Sequence, residues 1–282
     1  GRVHKTTRTT QGAALMAYVE PIADKHHVKA AARFIKDNFD PAYSLIWQIG
    51  IETGYRITDI TELKYSDIDH DNCTIKVAEN KGTRSNQARA RLKVLEQVKN
   101  ELIAMHTNDS KKMMQVYITK PKNVYSLIGD ELKPLIDARI ETAISKAPVK
   151  YRTAKLSKPT MLKIKARGKK YNFIDDGYLF ARSTMKSNRA KNSTGVITRQ
   201  SCYRVFSQLT GFMLTLGQKV RIACHSLRKI FARHLYTSSG NNIGLLMKVI
   251  GHSSPEMSLR YIGINNTEQL TAMDNMFEYM KI

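Results

Sequence analysis

The sequence predicts a mostly helical α+β fold with one small β-sheet. Apolar residues recur at helical spacing between residues 25 and 63 and over most of the stretch after residue 197, and only a few short runs suit strands. The chain has 282 residues, 42% of them hydrophobic, enough to bury one large core or two modest ones. That composition excludes a chain disordered throughout.

The elements follow in order. KHHVKAAARFIKDNF (25–39) and PAYSLIWQIGIETG (41–54) read as two helices, with Gly54 suited to a helix end. In the TGYRITDITEL segment beginning at Thr53, Ile57, Ile60 and Leu63 make a buried stripe on a new helix, so Arg56 stands at a turn beside the core. NCTIKVAENKGTR (72–84) reads as a strand entering a hairpin with Lys81 near its tip, and ARLKVLEQVKNELIAM (90–105) as an amphipathic helix. MMQVYITKPKNVYSLIGDELKPLIDARI (113–140) reads as two strands around KPKN, which holds Lys122, and then a helix. YNFIDDGYLFARS (171–183) suits a short buried strand or turn, and ITRQSCYRVFSQLTGFML (197–214) a helix. CHSLRKIFARHLYTSSG (224–240), NIGLLMKVIGHSS (242–254) and PEMSLRYIG (255–263) read as helices punctuated by Gly and Ser. In the tail (266–282), Leu270, Met273, Phe277 and Met280 share a face that suits either the chain's own core or a neighbouring subunit.

Lys and Arg number 46 against 24 Asp and Glu, a formal charge of +22 that calls for a polyanionic partner, nucleic acid above all. A lysine-rich solvated surface is the bland alternative, but the charge is uneven. From Val149 to Lys170 there are nine basic residues and no acid, which reads as a loop or short ribbon against phosphates or as a solvated insertion. Cys73, Cys202 and Cys224 are isolated, without metal-ligand spacing, so neither a disulfide framework nor a structural zinc is expected and the compartment reads as reducing. No apolar run approaches the roughly 18 residues of a membrane span, and a soluble, intracellular protein is expected. The initial Gly reads as a processed start or a fragment.

In HSLR, His225 and Arg228 lie three apart on one helical face, so an imidazole and a guanidinium point the same way while Leu227, Ile230 and Phe231 face the core. GHSS brings His252, and RYIG brings Tyr261 nine residues later. Singly these are weak signals, because a His and an Arg three apart occur in many helices and His252 equally suits a core or capping role. Their order is the stronger observation.

That order, TGYR, a lysine hairpin, HSLR, GHSS and RYIG, resembles the catalytic domain of the tyrosine recombinases, the phage integrase and Xer/Cre family. The resemblance runs from about residue 25 to about 265 and is poor from roughly 84 to 172. It implies that family's fold, with a segment or linker remnant at 1–24, a catalytic domain at 25–265 carrying a basic insertion, and a C-terminal helix at 266–282. Carried over, Arg56 matches the family's first arginine, His225 and Arg228 its His-x-x-Arg pair, His252 its later His or Trp, and Tyr261 its nucleophile. The implied reaction is attack of the tyrosine hydroxyl on a phosphodiester of duplex DNA, leaving a 3′-phosphotyrosine and a free 5′ hydroxyl.

A phenol ionises near pH 10, so the implied roles fit the residue types. The two arginines would hold the non-bridging oxygens with planar forks, His225 would manage the nucleophile's proton, and His252 would donate to the phosphate. A lysine would protonate the departing 5′ oxygen, with Lys81 favoured over Lys122. Arg152, Lys155, Lys163, Lys165 and Arg167, with Lys122, are expected against DNA. Neither ATP, metal nor other cofactor is implied. The implied assembly is a homotetramer on two DNA sites, cytoplasmic and nucleoid-associated, in a bacterium or encoded by a phage or plasmid. Only 55 residues precede Arg56, leaving little room for a separate N-terminal DNA-binding domain. The rival readings are a telomere resolvase or type IB topoisomerase, which share the chemistry, and a non-cutting DNA-binding protein; an RNA-binding protein would explain the charge but not the order.

Overall fold

The computed structural model describes residues 21–105, 120–172, 176–186, 195–264 and 266–280. The chain divides into two compact units, Gly1–Ile75 with Ala154–Ile282, and Lys76–Thr153. Helices dominate both, and the strands among the described residues form a three-stranded sheet in the order β1 (Ile68–Asp69), β2 (Thr74–Ala78), β3 (Tyr151–Lys155). β1 pairs antiparallel with β2, Ile68 opposite Ile75. The chain leaves the first unit within β2 and returns within β3.

In the first unit, α1 (Lys25–Asn38) starts where Asp24 accepts a hydrogen bond from the His26 amide at 2.7 Å. α2 (Pro41–Thr53) is capped by Asp40, begins with Pro41 and buries Leu45, Ile46, Trp47 and Ile49. It ends at Gly54 in the left-handed conformation, φ 62°, and a Cβ there would collide with Phe231. α3 (Ile57–Thr61) follows, with Ile57, Ile60 and Leu63 all buried as the stripe requires.

α8 (Arg199–Thr215) and α9 (Ser226–Ser238) complete this core. Phe206 of α8 meets Trp47 edge-on at 5.9 Å between centroids, and Phe212 stacks on Phe34 at 4.4 Å. α2 meets α9 so closely at Gly50 that a Cβ there would strike Leu227. α10 (Ile243–Ile250) and α11 (Pro255–Tyr261) lie against α9 around Ala232, Leu246, Ile250 and Ile262. In α12 (Asn266–Met280), Leu270, Met273, Phe277 and Met280 are exposed, so the apolar face does not fold onto the chain's own core.

The second unit has its own core. α4 (Asn80–Ala104), α5 (Pro121–Leu127) and α6 (Lys133–Ser145) bury Val94, Leu95, Val98, Val124, Ile128, Ile136 and Ile140 together. Arg139 forks onto both oxygens of Glu101 at 2.8 Å, an exposed pair that solvent screens and that adds little. The apolar contacts carry this unit.

The structure departs from three sequence expectations. Lys81 sits in the first turn of α4, not at a hairpin tip: no proline or glycine interrupts residues 83 to 104, so the helix tolerates Gly82 near its start. β2 therefore finds β3 only after the helices of the second unit. Lys122 lies on α5 rather than between strands; the strand expected before it falls largely on residues 106–119, outside the described residues. The basic stretch is neither loop nor ribbon, because it folds as β3 and then α7 (Lys158–Tyr171), whose buried face is Thr160, Met161, Ile164 and Arg167. Ser157 caps α7, and Glu52 of α2 fixes that start by accepting from the Ser157 amide and hydroxyl at 2.9 Å and from Thr160 Oγ1 at 2.6 Å.

Candidate active site

Arg228 is the anchor of the site. It is 4% exposed, and its guanidinium donates to the Gly54 carbonyl from Nη1 and to the Ile250 carbonyl from Nη2, both at 2.5 Å. Each acceptor ends a helix at a left-handed glycine turn: Gly54 closes α2 just before Arg56, and Ile250 closes α10 just before Gly251 and His252. One side chain thus ties together the TGYR, HSLR and GHSS motifs. A guanidinium has five N–H donors, so these two bonds do not exhaust it.

α11 is set by Ser254, whose hydroxyl accepts from the Met257 amide at 3.1 Å, and by Pro255 in its first turn. The helix carries Tyr261 at its end, half-buried against Ile250 and Ile262 and their neighbours. The His252 ring meets the Tyr261 ring edge to face, 5.0 Å between centroids at 88°. His252 Nδ1 lies 3.1 Å from Oγ of the buried Ser258. That hydroxyl has one proton and also lies 3.3 Å from the Ser254 carbonyl: donated to the carbonyl, it leaves the imidazole's proton on Nδ1, and donated to the imidazole, it leaves that proton on Nε2, the tautomer that can donate to a ligand.

Positive charge converges on both imidazoles. The pKa of His252 is lowered by burial, then by Arg228 and Arg56. That of His225 is lowered by burial of the ring, then by Arg199, Arg56, Arg228 and Lys229. His225 as a whole is exposed, so the four cations are the firmer cause. Both rings are held toward the neutral form, and a neutral imidazole can accept a proton. Arg56, His225, Arg228, His252 and Tyr261 are therefore brought together within the first unit.

Lys81, Lys122 and Arg152 belong to the second unit. Lys81 and Lys122 are exposed, whereas Arg152 is half-buried and pairs with the buried Glu79 at 3.8 Å. Lys155, Lys163 and Lys165 are exposed. Arg167 departs from the DNA-facing role expected of it: 8% exposed, it donates to the Leu179 carbonyl at 2.8 Å and to Thr184 Oγ1 at 2.5 Å, a fixed internal role. Two residues beyond the sequence expectation join the site, Arg199 at the start of α8 and Lys229 on α9. For Lys229 the signal was its place four residues after His225, on the same helical face. Cys202, nearby on α8, is no rival nucleophile, because burial pushes its thiol up to about 12.

The model of the phage integrase family matches residues 22–268. The chain belongs to the phage integrase family. A probable integrase/recombinase of Bacillus subtilis (strain 168), YoeC, is 35% identical over 69 residues, covering 24% of this chain and 35% of that protein. The XerA recombinase structure aligns with a TM-score of 0.51 at 15% identity over 95% of this chain and 66% of its own. The structure of XerH bound to palindromic difH substrate gives 0.52 at 14% identity, covering 91% of this chain and 53% of that one. These structures show a shared fold, and this integrase-family chain spans about two-thirds or less of the length of each of these relatives.

Proposed function

We propose that this phage integrase family chain is a site-specific DNA recombinase that cuts and rejoins duplex DNA through a 3′-phosphotyrosine on Tyr261. The observation that carries the reading is the Arg228 clamp, which holds the turn before Arg56 and the turn before His252 on one helix beside Tyr261. In the cleavage step the Tyr261 oxygen bonds to phosphorus and the bond from phosphorus to the 5′ oxygen breaks. The phenol's proton passes to His225, which the surrounding cations hold in the neutral form that can accept it, and the 5′ oxygen takes a proton from Lys81. Arg56, Arg228 and His252 offset the charge that builds on the non-bridging oxygens. Religation reverses the bonds, so the phosphoester energy is conserved and neither ATP nor metal enters the step.

Relatives solved on DNA, XerH on difH and the Tn1549 integrase on a circular intermediate, support duplex DNA as the partner. The proposed assembly is a tetramer on two sites, with the exposed apolar face of α12 linking neighbours. No helix among the described residues is long and apolar enough to cross a membrane. The test is covalent trapping: wild type and Tyr261→Phe are incubated with nicked fragments of the DNA flanking the coding sequence and denatured in detergent. DNA-linked protein from the wild type alone is expected; binding without linkage would leave a non-cutting DNA-binding protein.

A further inference from the structure

Lys229 follows Arg228 directly, yet it does different work. A one-residue step turns the side chain about 100° around the helix, so Arg228 reaches the Gly54 and Ile250 carbonyls while Lys229 points toward Tyr261. Its ammonium lies 5.5 Å from the centroid of the Tyr261 ring, and the residue is 9% exposed. Burying an ammonium is costly unless its surroundings compensate, and an aromatic face compensates in part. A phenolate would compensate far more, because its negative charge is spread over ring and oxygen and the ammonium is shielded from water.

We propose that Lys229 is a positioning residue for Tyr261, holding the phenol ring at the site and stabilising its ionised form for attack. The inference rests on the proposed role of Tyr261 as nucleophile. Other groups also stand around Tyr261. His252 meets the ring edge to face and is held toward neutrality, and Tyr236 of α9 shares its apolar cluster. Arg56 and Arg228 act on both imidazoles, and Arg260 precedes Tyr261 on α11. Lys229 also acts on His225, so it favours loss of the phenol's proton while disfavouring a charged imidazole. Removing it therefore changes the balance between the two groups.

Two readouts on the full chain test this. The first is ionisation of Tyr261, followed by NMR of protein labelled at tyrosine Cζ, with Tyr261→Phe assigning the resonance. Lys229→Gln should titrate at higher pH than wild type, and Lys229→Arg close to wild type; an unchanged midpoint in Lys229→Gln overturns the proposal. Lys229→Met, suited to apolar surroundings, takes its place if the glutamine unfolds the protein. The second is the rate of covalent trapping against pH. Lys229→Gln should be about tenfold slower near neutrality, with the deficit closing as pH rises. A deficit constant with pH would mean a merely structural role. If wild type forms no adduct, the recombinase reading fails, while the NMR comparison still decides whether Lys229 stabilises the ionised tyrosine.

Discussion

Two helices of the first unit each bury an arginine, and the contrast between them separates architecture from chemistry. Arg167 of α7 bonds to Leu179 and Thr184, a short loop only 12 to 17 residues along the chain, and lies over the rings of Tyr171 and Phe180. Arg228 of α9 bonds to Gly54, 174 residues away, and to Ile250, 22 away, and each bond fixes a turn that leads into another polar motif. Both are charged, buried and satisfied. What distinguishes them is what else stands beside them: aromatic rings in one case, two imidazoles, a second arginine and a tyrosine in the other.

The largest expected effect sets these arginines against each other. Arg228→Ala should reduce DNA cleavage by about 10²–10³-fold and also cost about 1–3 kcal/mol for each carbonyl left unpaired. Arg167→Ala should show a comparable loss in denaturant melts, yet cleave within about threefold of wild type when assayed cool enough to remain folded. Equal loss of cleavage in both would erase the distinction.

Lys81 sharpens the comparison from the second unit. Lys81→Ala should slow cleavage by about 10²-fold. Replacing the bridging 5′ oxygen with sulfur, which leaves without protonation, should restore most of that rate. Lys122→Ala should show neither loss nor rescue. A Lys81 defect that sulfur does not relieve would remove this residue as the acid.

A smaller effect follows from the histidines. Because folding lowers the pKa of His225 and His252 below 6.5, the unfolded chain takes up protons there first. The free protein should therefore lose stability as pH falls below about 6.5. The His225→Gln, His252→Gln double variant should show a shallower decline in chemical denaturation between pH 7.5 and pH 5. His70, also lowered, remains in both proteins and cancels in the comparison. The smallest effect belongs to the exposed face of α7. Lys163→Gln with Lys165→Gln should flatten the salt dependence of DNA binding by about 0.9 for each phosphate no longer neutralised, leaving cleavage at saturation unchanged.

Much of this was legible in the sequence where local signals agree. α1, α2 and α8 fall within about two residues of their expected bounds, since periodicity coincides with caps at Asp24, Asp40 and Thr198 and with the glycine stop at Gly54. Arg56, His225, Arg228, His252 and Tyr261 were singled out as candidates by order, and the fold supplies the proximity that order alone does not. The second unit was misread because β2 pairs with a strand far along the chain, a nonlocal fact that the Gly in ENKGTR disguised as a tight turn. Arg167 was misread because dense lysines hid the spacing of Met161, Ile164 and Arg167, three apart on one face, which marks a buried stripe. Lys229 drew no reading from the sequence, because which way a lysine points depends on what packs beside its helix.

Of the chain's 13 tyrosines, Tyr261 is the one proposed to join DNA. The most direct measurement is to digest a trapped complex with nuclease and protease and map the remaining nucleotide by mass spectrometry. The expected product is a nucleotide phosphate esterified to Tyr261 through the DNA 3′ end. Attachment at Tyr236 or any other residue, or through a 5′ end, would contradict it.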